Sequence, residues 1–237
     1  MTETKQTEPA TGPEPALRLY DYVLSGNCYK IRLFAALLGL SYEAQAVDFY
    51  PGFEHRSAAM LALNPAGTLP VMETLSPSGA GVQVLTETND MLIWMAQTSP
   101  ARAAAWYPQH SQATRAALQD ALALSRRLTQ SVGLARLQAM LDWPVDGAAK
   151  QAEGLADLRR LELALSHRQL EGCCWLVGEG PSLADIACFP YAALSPDAGL
   201  DQDGFPAIRE WLYQVRRLPG FITMPGIHAL HELRKVD

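Results

Sequence analysis

Charge is scarce in this sequence, and so are patterned cysteines and long apolar runs. Charged residues make up 19% of the 237, below the ~25% usual for soluble domains. Hydrophobic residues make up 49%, so disorder through low hydrophobicity and high charge is excluded for the bulk of the chain. There is no excess of positive charge: 19 Lys and Arg stand against 25 Asp and Glu, a formal charge of −6. That balance argues against nucleic acid or an anionic membrane as the main partner, and for a small ligand. The four cysteines, Cys28, Cys173, Cys174 and Cys188, show neither CxxC nor metal-finger spacing, and the adjacent Cys173 and Cys174 are poor framework partners. A reducing compartment is expected, with no metal. No apolar run approaches the ~18 residues of a membrane span, and the N-terminus lacks the basic-then-apolar order of a signal peptide. The expectation is a cytoplasmic protein. P-loop, GxSxG and HExxH motifs and fixed-period repeats are missing as well.

What is present divides the chain in two. Residues 1–16 (MTETKQTEPATGPEPA) have almost nothing to bury and are expected to be a disordered tail. Leu17 to Tyr20 alternates like a strand, Ser25-Gly26-Asn27 breaks it, and Ile31, Phe34, Ala35 and Leu38 then fall at helical spacing, with Gly39 as a stop. Residues 42–49 supply a second strand. Residues 69–75 and 82–86 read as a hairpin around the turn SPSGAG, and 89–97 as a helix with Thr88 or Thr86 as N-cap. One crossover unit plus a hairpin predicts a mixed four-stranded sheet with helices packed on it. After Thr98-Ser99-Pro100 the strand-like runs stop. Apolar residues three and four apart predict helices at about 109–140, 147–171, 182–194 and 205–218. The division is therefore an α/β domain at 17–98, a linker at 99–107 and an all-helical domain at 108–237. Within the latter, Ser182-Leu183-Ala184-Asp185 fits a capping box.

Four segments together resemble the cytosolic glutathione S-transferase family, in a bacterial form with a serine loop like that of the theta and zeta classes. Residues 17–40 (LRLYDYVLSGNCYKIRLFAALLGL) are similar to its first strand, active-site loop and first helix; 64–71 (NPAGTLPV) to the loop before its cis-proline. Glu87-Thr88 is similar to its Glu-Ser pair, and 178–191 (GEGPSLADIACFPY) to its C-terminal capping motif. Trp211 and the LPGF at 218–221 match the usual ending. The resemblance implies a thioredoxin-like domain, bound glutathione as cosubstrate, a small electrophilic or hydrophobic second substrate, and a homodimer.

The chemistry needed at each position follows. A thiol of pKa near 8.5 is only ~3% thiolate at pH 7. A hydroxyl donor plus a helix N-terminus can lower that pKa by about two units, or about 2.7 kcal/mol. Ser25 matches the catalytic serine; Asn27 is a further donor. Cys28 stands at the resolving position of a thioredoxin-type loop whose attacking cysteine has become serine, which raises a thiol-disulfide oxidoreductase or peroxidase as the alternative. A non-catalytic binding module of the same fold is the other. Glu87 would accept the γ-glutamyl ammonium, while Thr88 would receive its carboxylate at a helix N-terminus. Leu69-Pro70 falls where the family places its cis-proline, which frees the preceding backbone for the cysteinyl unit. His55 falls near the glycyl end. Lys30 and Arg56 are further candidates for the glycyl carboxylate, with a solvated charge the favoured reading of each. Trp106, Arg126, Arg127 and Phe221 are candidates for the second-substrate pocket.

Overall fold

The computed structural model describes residues 17–75, 81–99, 103 and 105–232. The expected tail at 1–16, most of the hairpin turn and part of the 99–107 linker lie outside the described residues. The N-terminal domain runs β1 (Leu17–Asp21), α1 (Gly26–Leu38), β2 (Glu43–Ala46), a 3-10 turn (Glu54–Arg56), α2 (Ala58–Leu63), β3 (Val71–Leu75), β4 (Val82–Leu85) and α3 (Thr88–Thr98). The sheet has the order β2-β1-β3-β4, parallel between β1 and β2 and antiparallel elsewhere. This is the expected mixed four-stranded sheet. Leu17 and Leu19 point inward from β1 and are buried, while Arg18 between them pairs outward with Glu43 and Glu73.

Two helix N-termini in this domain define the site. At α1 the Ser25 Oγ accepts from the Cys28 N–H at 3.2 Å, and the helix stops where Gly39 adopts φ 62°, a left-handed conformation that favours glycine. Between them Tyr29, Ile31, Leu33 and Phe34 are fully buried. At α3 the cap is neither Thr86 nor Thr88. Glu87 holds the extended cap conformation, φ −97° and ψ 122°, and makes no side-chain capping bond. Thr88 is already the first helical residue, so its N–H is one of the unpaired donors of that terminus.

The helical domain comprises α4 (Gln112–Leu128), a π-turn (Thr129–Gly133), α5 (Leu134–Leu141), α6 (Gly147–Leu170), α7 (Leu183–Ala193) and α8 (Pro206–Arg216). The single helix expected at 109–140 thus runs unbroken over 112–141, with the π-turn inserted in it. Ser131 pins it to α6, with its Oγ 2.9 Å from Asp157 Oδ2. Helix α7 is buried on all sides, as expected for a central helix that is apolar all round. The sequence-predicted capping box forms and does more than start this helix. Asp185 accepts from Ser182 N–H at 2.8 Å and Ser182 Oγ at 3.0 Å, and also from Leu176 N–H at 3.0 Å and Trp211 Nε1 at 2.8 Å. One apolar core runs through both domains, from Leu19 and Phe34 to Leu118, Phe189 and Trp211.

Removing that buried carboxylate strands donors that water cannot reach. Asp185→Ala is expected to cost about 3–5 kcal/mol in urea unfolding, against ~1 kcal/mol for the cap mutant Ser182→Ala. Equal costs for the two variants would show that the contacts to Leu176 and Trp211 contribute nothing.

Candidate active site

The two helix N-termini open into one cleft of about 580 Å³ between the domains. On the sheet side it is lined by Ser25, Gly26 and Asn27 at the start of α1, His55 and Arg56, residues 66–69, and Thr86 to Asn89 at the start of α3. Both helices direct the positive ends of their dipoles and unpaired N–H groups here, an arrangement that suits an anion. The facing wall comes from the end of α4, the π-turn, α5 and Trp143. The π-turn therefore faces the site through Thr129, Gln130 and Gly133, and π-turns recur at functional sites.

The loop before α1 is held from both directions. Ser25 uses a lone pair for its capping bond, so its hydroxyl proton is still available to a ligand. Thr129 Oγ1 lies 3.3 Å from Asn27 Oδ1, which leaves the Asn27 amide N–H groups as donors. Arg136, on α5, donates through Nη1 to the Leu24 carbonyl at 2.7 Å and through Nε to Asp197 Oδ2 at 2.9 Å. Asn89 Nδ2 donates to the Leu122 carbonyl at 2.9 Å, tying α3 to α4. Glu87 is exposed on the cleft and makes no ion pair among the described residues.

Lys30 is not the solvated charge that its sequence context implies. Its side chain turns inward from α1 and is 1% exposed, with Nζ donating to Ser125 Oγ at 3.0 Å and Thr129 Oγ1 at 3.3 Å. Burial, reinforced by the nearby Arg126, lowers its pKa to about 7.

His55 is likewise buried. It stacks on Phe49, with ring centroids 4.1 Å apart, inside an aromatic group that includes Phe53 and Trp143. Neither of its ring nitrogens has a hydrogen-bond partner among the described residues. Burial, with Arg56 alongside, holds its pKa below the usual 6.5.

The cleft thus assembles Ser25, Asn27, His55, Leu69, Glu87 and Thr88. Three other expected residues lie off it. Cys28 points away into an apolar cluster with Val47, Met60, Leu69 and Val71, fully buried, and burial pushes its thiol up to about 12. Trp106 packs edge-on against Phe34 at 5.5 Å and belongs to the core. Pro70 is buried behind Leu69, and the Leu69–Pro70 peptide is cis. Of the other pocket candidates, Arg126 lines the cleft. Arg127 pairs with Asp157, and Phe221 meets Phe189 edge-on.

Comparison with known proteins agrees with this architecture. Residues 24–98 match the glutathione S-transferase N-terminal domain, and residues 139–219 its C-terminal domain. A maleylacetoacetate isomerase of Rhizobium meliloti is 31% identical over 185 residues, 73% of this chain and 78% of its own. The chain belongs to the glutathione S-transferase family. Within that family it is also similar to the disulfide-bond oxidoreductase YfcG of Escherichia coli, 28% identical over 81% of this chain and 87% of its own. A glutathione S-transferase from Pseudomonas fluorescens superposes with a TM-score of 0.75 at 29% identity, covering 88% of this chain and 98% of that one.

In this family member the aromatic residues Tyr22, Phe49 and Trp143 and the cation Arg136 line the site without having been singled out for it from sequence, and Lys30 lines it from within the fold rather than as a solvated charge. Periodicity marks an aromatic as core and a lysine as surface. It does not show that residues 49 and 143, far apart in sequence, stack at 5.3 Å.

His55 makes stability depend on pH. Its folded pKa lies below its unfolded value, so both states are neutral above pH ~6.5 and the stability is fully present there. As pH falls through the unfolded pKa, only the unfolded chain gains the proton and stability drops. Urea unfolding should show a loss for wild type between pH 7.5 and 5.5 that is absent or smaller in His55→Phe, which keeps the stacking. Parallel losses in the two proteins would remove His55 as the cause.

Proposed function

We propose that this protein is a glutathione transferase. Glutathione lies along the sheet-side wall: Glu87 accepts its γ-glutamyl ammonium, and the Thr88 N–H and hydroxyl receive the adjoining carboxylate at the start of α3. The Leu69 backbone pairs with the cysteinyl unit, and His55 and Arg56 adjoin the glycyl end. Ser25 donates its free hydroxyl proton to the sulfur, with Asn27 as a second donor and the α1 dipole stabilising the thiolate. The thiolate attacks an electrophilic carbon in the half of the cleft facing the helical domain. A sulfur–carbon bond forms, the leaving group departs with its electron pair, and the thiol proton passes to solvent. The protein works as a homodimer, with α3 and α4 at its interface.

The observation that carries this reading is the convergence of Ser25, Asn27, His55, Leu69, Glu87 and Thr88 on one cleft at two helix N-termini. The full burial of Cys28 and its raised pKa speak against a disulfide exchange that would use it. Family members bear the names of an isomerase and an oxidoreductase as well as transferases; a thiolate supplied at Ser25 is the element common to this reading of the cleft.

Calorimetric titration with glutathione tests the binding half. Glu87→Ala should weaken affinity by about 1.5–3 kcal/mol without loss of fold, and unchanged affinity would remove Glu87 from the site. The pH profile of kcat/KM with a generic electrophile tests the chemical half. Ser25→Ala should slow turnover at pH 7 by up to about a hundredfold, corresponding to a two-unit pKa rise, with the deficit shrinking toward pH 9 as solvent deprotonates the thiol unaided. The lost cap should also cost ~1 kcal/mol of stability. A wild-type profile in Ser25→Ala, with a shifted one in Asn27→Ala, would transfer the role to Asn27.

A further inference from the structure

Charge is distributed unevenly around the cleft. Among the described residues that line it, Glu87 is the one carboxylate, facing Lys30, Arg56, Arg126 and Arg136. The glutathione reading engages Glu87 and Arg56, and Asp197 neutralises Arg136. Lys30 and Arg126 are left over, and neither has an ion pair among the described residues.

Lys30 is the more informative of the two. Its ammonium is buried with two neutral hydroxyls, Ser125 and Thr129, as hydrogen-bond partners, and lies 5.1 Å from the centre of the Tyr191 ring. A buried charge without a counter-charge is costly, and a methionine would fill the same space without that cost. Arg126 is near enough to disfavour the ammonium further. Two basic side chains in one ligand cleft, Lys30 buried and Arg126 exposed, are explained if the ligand brings the opposite charge. Beside them the wall is apolar, formed by Leu134, Leu137, Met140 and Trp143.

We propose that the helical-domain half of the cleft takes an electrophile with an apolar body and a carboxylate, the body lying on α5 and Trp143 and the carboxylate pairing with Lys30 and Arg126. The proposal rests on the transferase reading for the identity of the other ligand. The carboxylate does not react; it fixes the electrophilic carbon relative to the thiolate.

The probe is 4-chloro-3-nitrobenzoate beside its methyl ester, titrated into the full chain alone and into the chain saturated with S-methylglutathione, which cannot react. Wild type should bind the acid about tenfold to a hundredfold more tightly than the ester, as a charge-assisted contact implies. Lys30→Met should bring that ratio to within about twofold of unity, and Arg126→Gln should reduce it several-fold. Turnover of the pair with glutathione, each normalised to its uncatalysed rate, should show the same ratios. Equal binding of acid and ester by wild type overturns the proposal. So does an undiminished ratio in folded Lys30→Met, or in Arg126→Gln should Lys30→Met fail to fold. An equal loss of S-methylglutathione affinity in Lys30→Met would assign Lys30 to the glutathione half and overturn it as well. Failure of the transferase reading looks different: S-methylglutathione does not bind, while the acid preference persists in the protein alone.

Discussion

The site depends on one aromatic ring. Tyr191, from the buried helix α7, lies between the first residue of α1 and the last residue of the π-turn. A Cβ on Gly26 would come within 2.9 Å of that ring, and so would one on Gly133. Backbone from both domains therefore closes on the same side chain, which any larger residue at 26 or 133 would displace. This contact fixes how far the Ser25 loop stands from the helical wall, and hence the width of the cleft. Arg136 reinforces it from α5 by holding the Leu24 carbonyl. The loop carrying Ser25 and Asn27 is thus positioned as much by the helical domain as by the sheet from which it emerges.

Around that fixed geometry the electrostatics run against the sign of the whole protein. The chain carries −6, yet the cleft collects two helix N-termini and, among the described residues, four basic side chains against one carboxylate. In a partly enclosed site such charges are screened less than at the surface, so a small anion entering it is favoured. Lys30 is the most deeply buried of these basic groups, its Nζ held by two neutral hydroxyls and lying 5.1 Å from the centre of the Tyr191 ring.

Several groups serve both fold and site. Ser25 caps α1 through a lone pair and keeps a proton for a ligand. Thr129 accepts from Lys30 and reaches Asn27 across the domain boundary. His55 fills an aromatic stack and at the same time lines the cleft, its buried ring nitrogens without a hydrogen-bond partner among the described residues. Coupling of this kind means that substitutions at the site act on stability as well, and both readouts are needed to separate the effects.

The sequence by itself determined the elements and their order. Alternation marked β1, three-four spacing marked α1 and the long helices, and Gly39 and the Ser182–Asp185 box marked a stop and a start, because these signals are local and each rests on the period of its own element. The family resemblance supplied Ser25, Glu87, Thr88 and Leu69 through short motifs that keep their spacing. The tertiary structure alone decided what required two distant segments to meet. It buried Lys30 against α4, turned Cys28 away from the cleft, joined Phe49 to Trp143 and set a π-turn into the helix expected at 109–140. The physical reason is common to all four: a side chain's solvation and partners are set by what packs against it, and the packing partner lies up to about a hundred residues away along the chain.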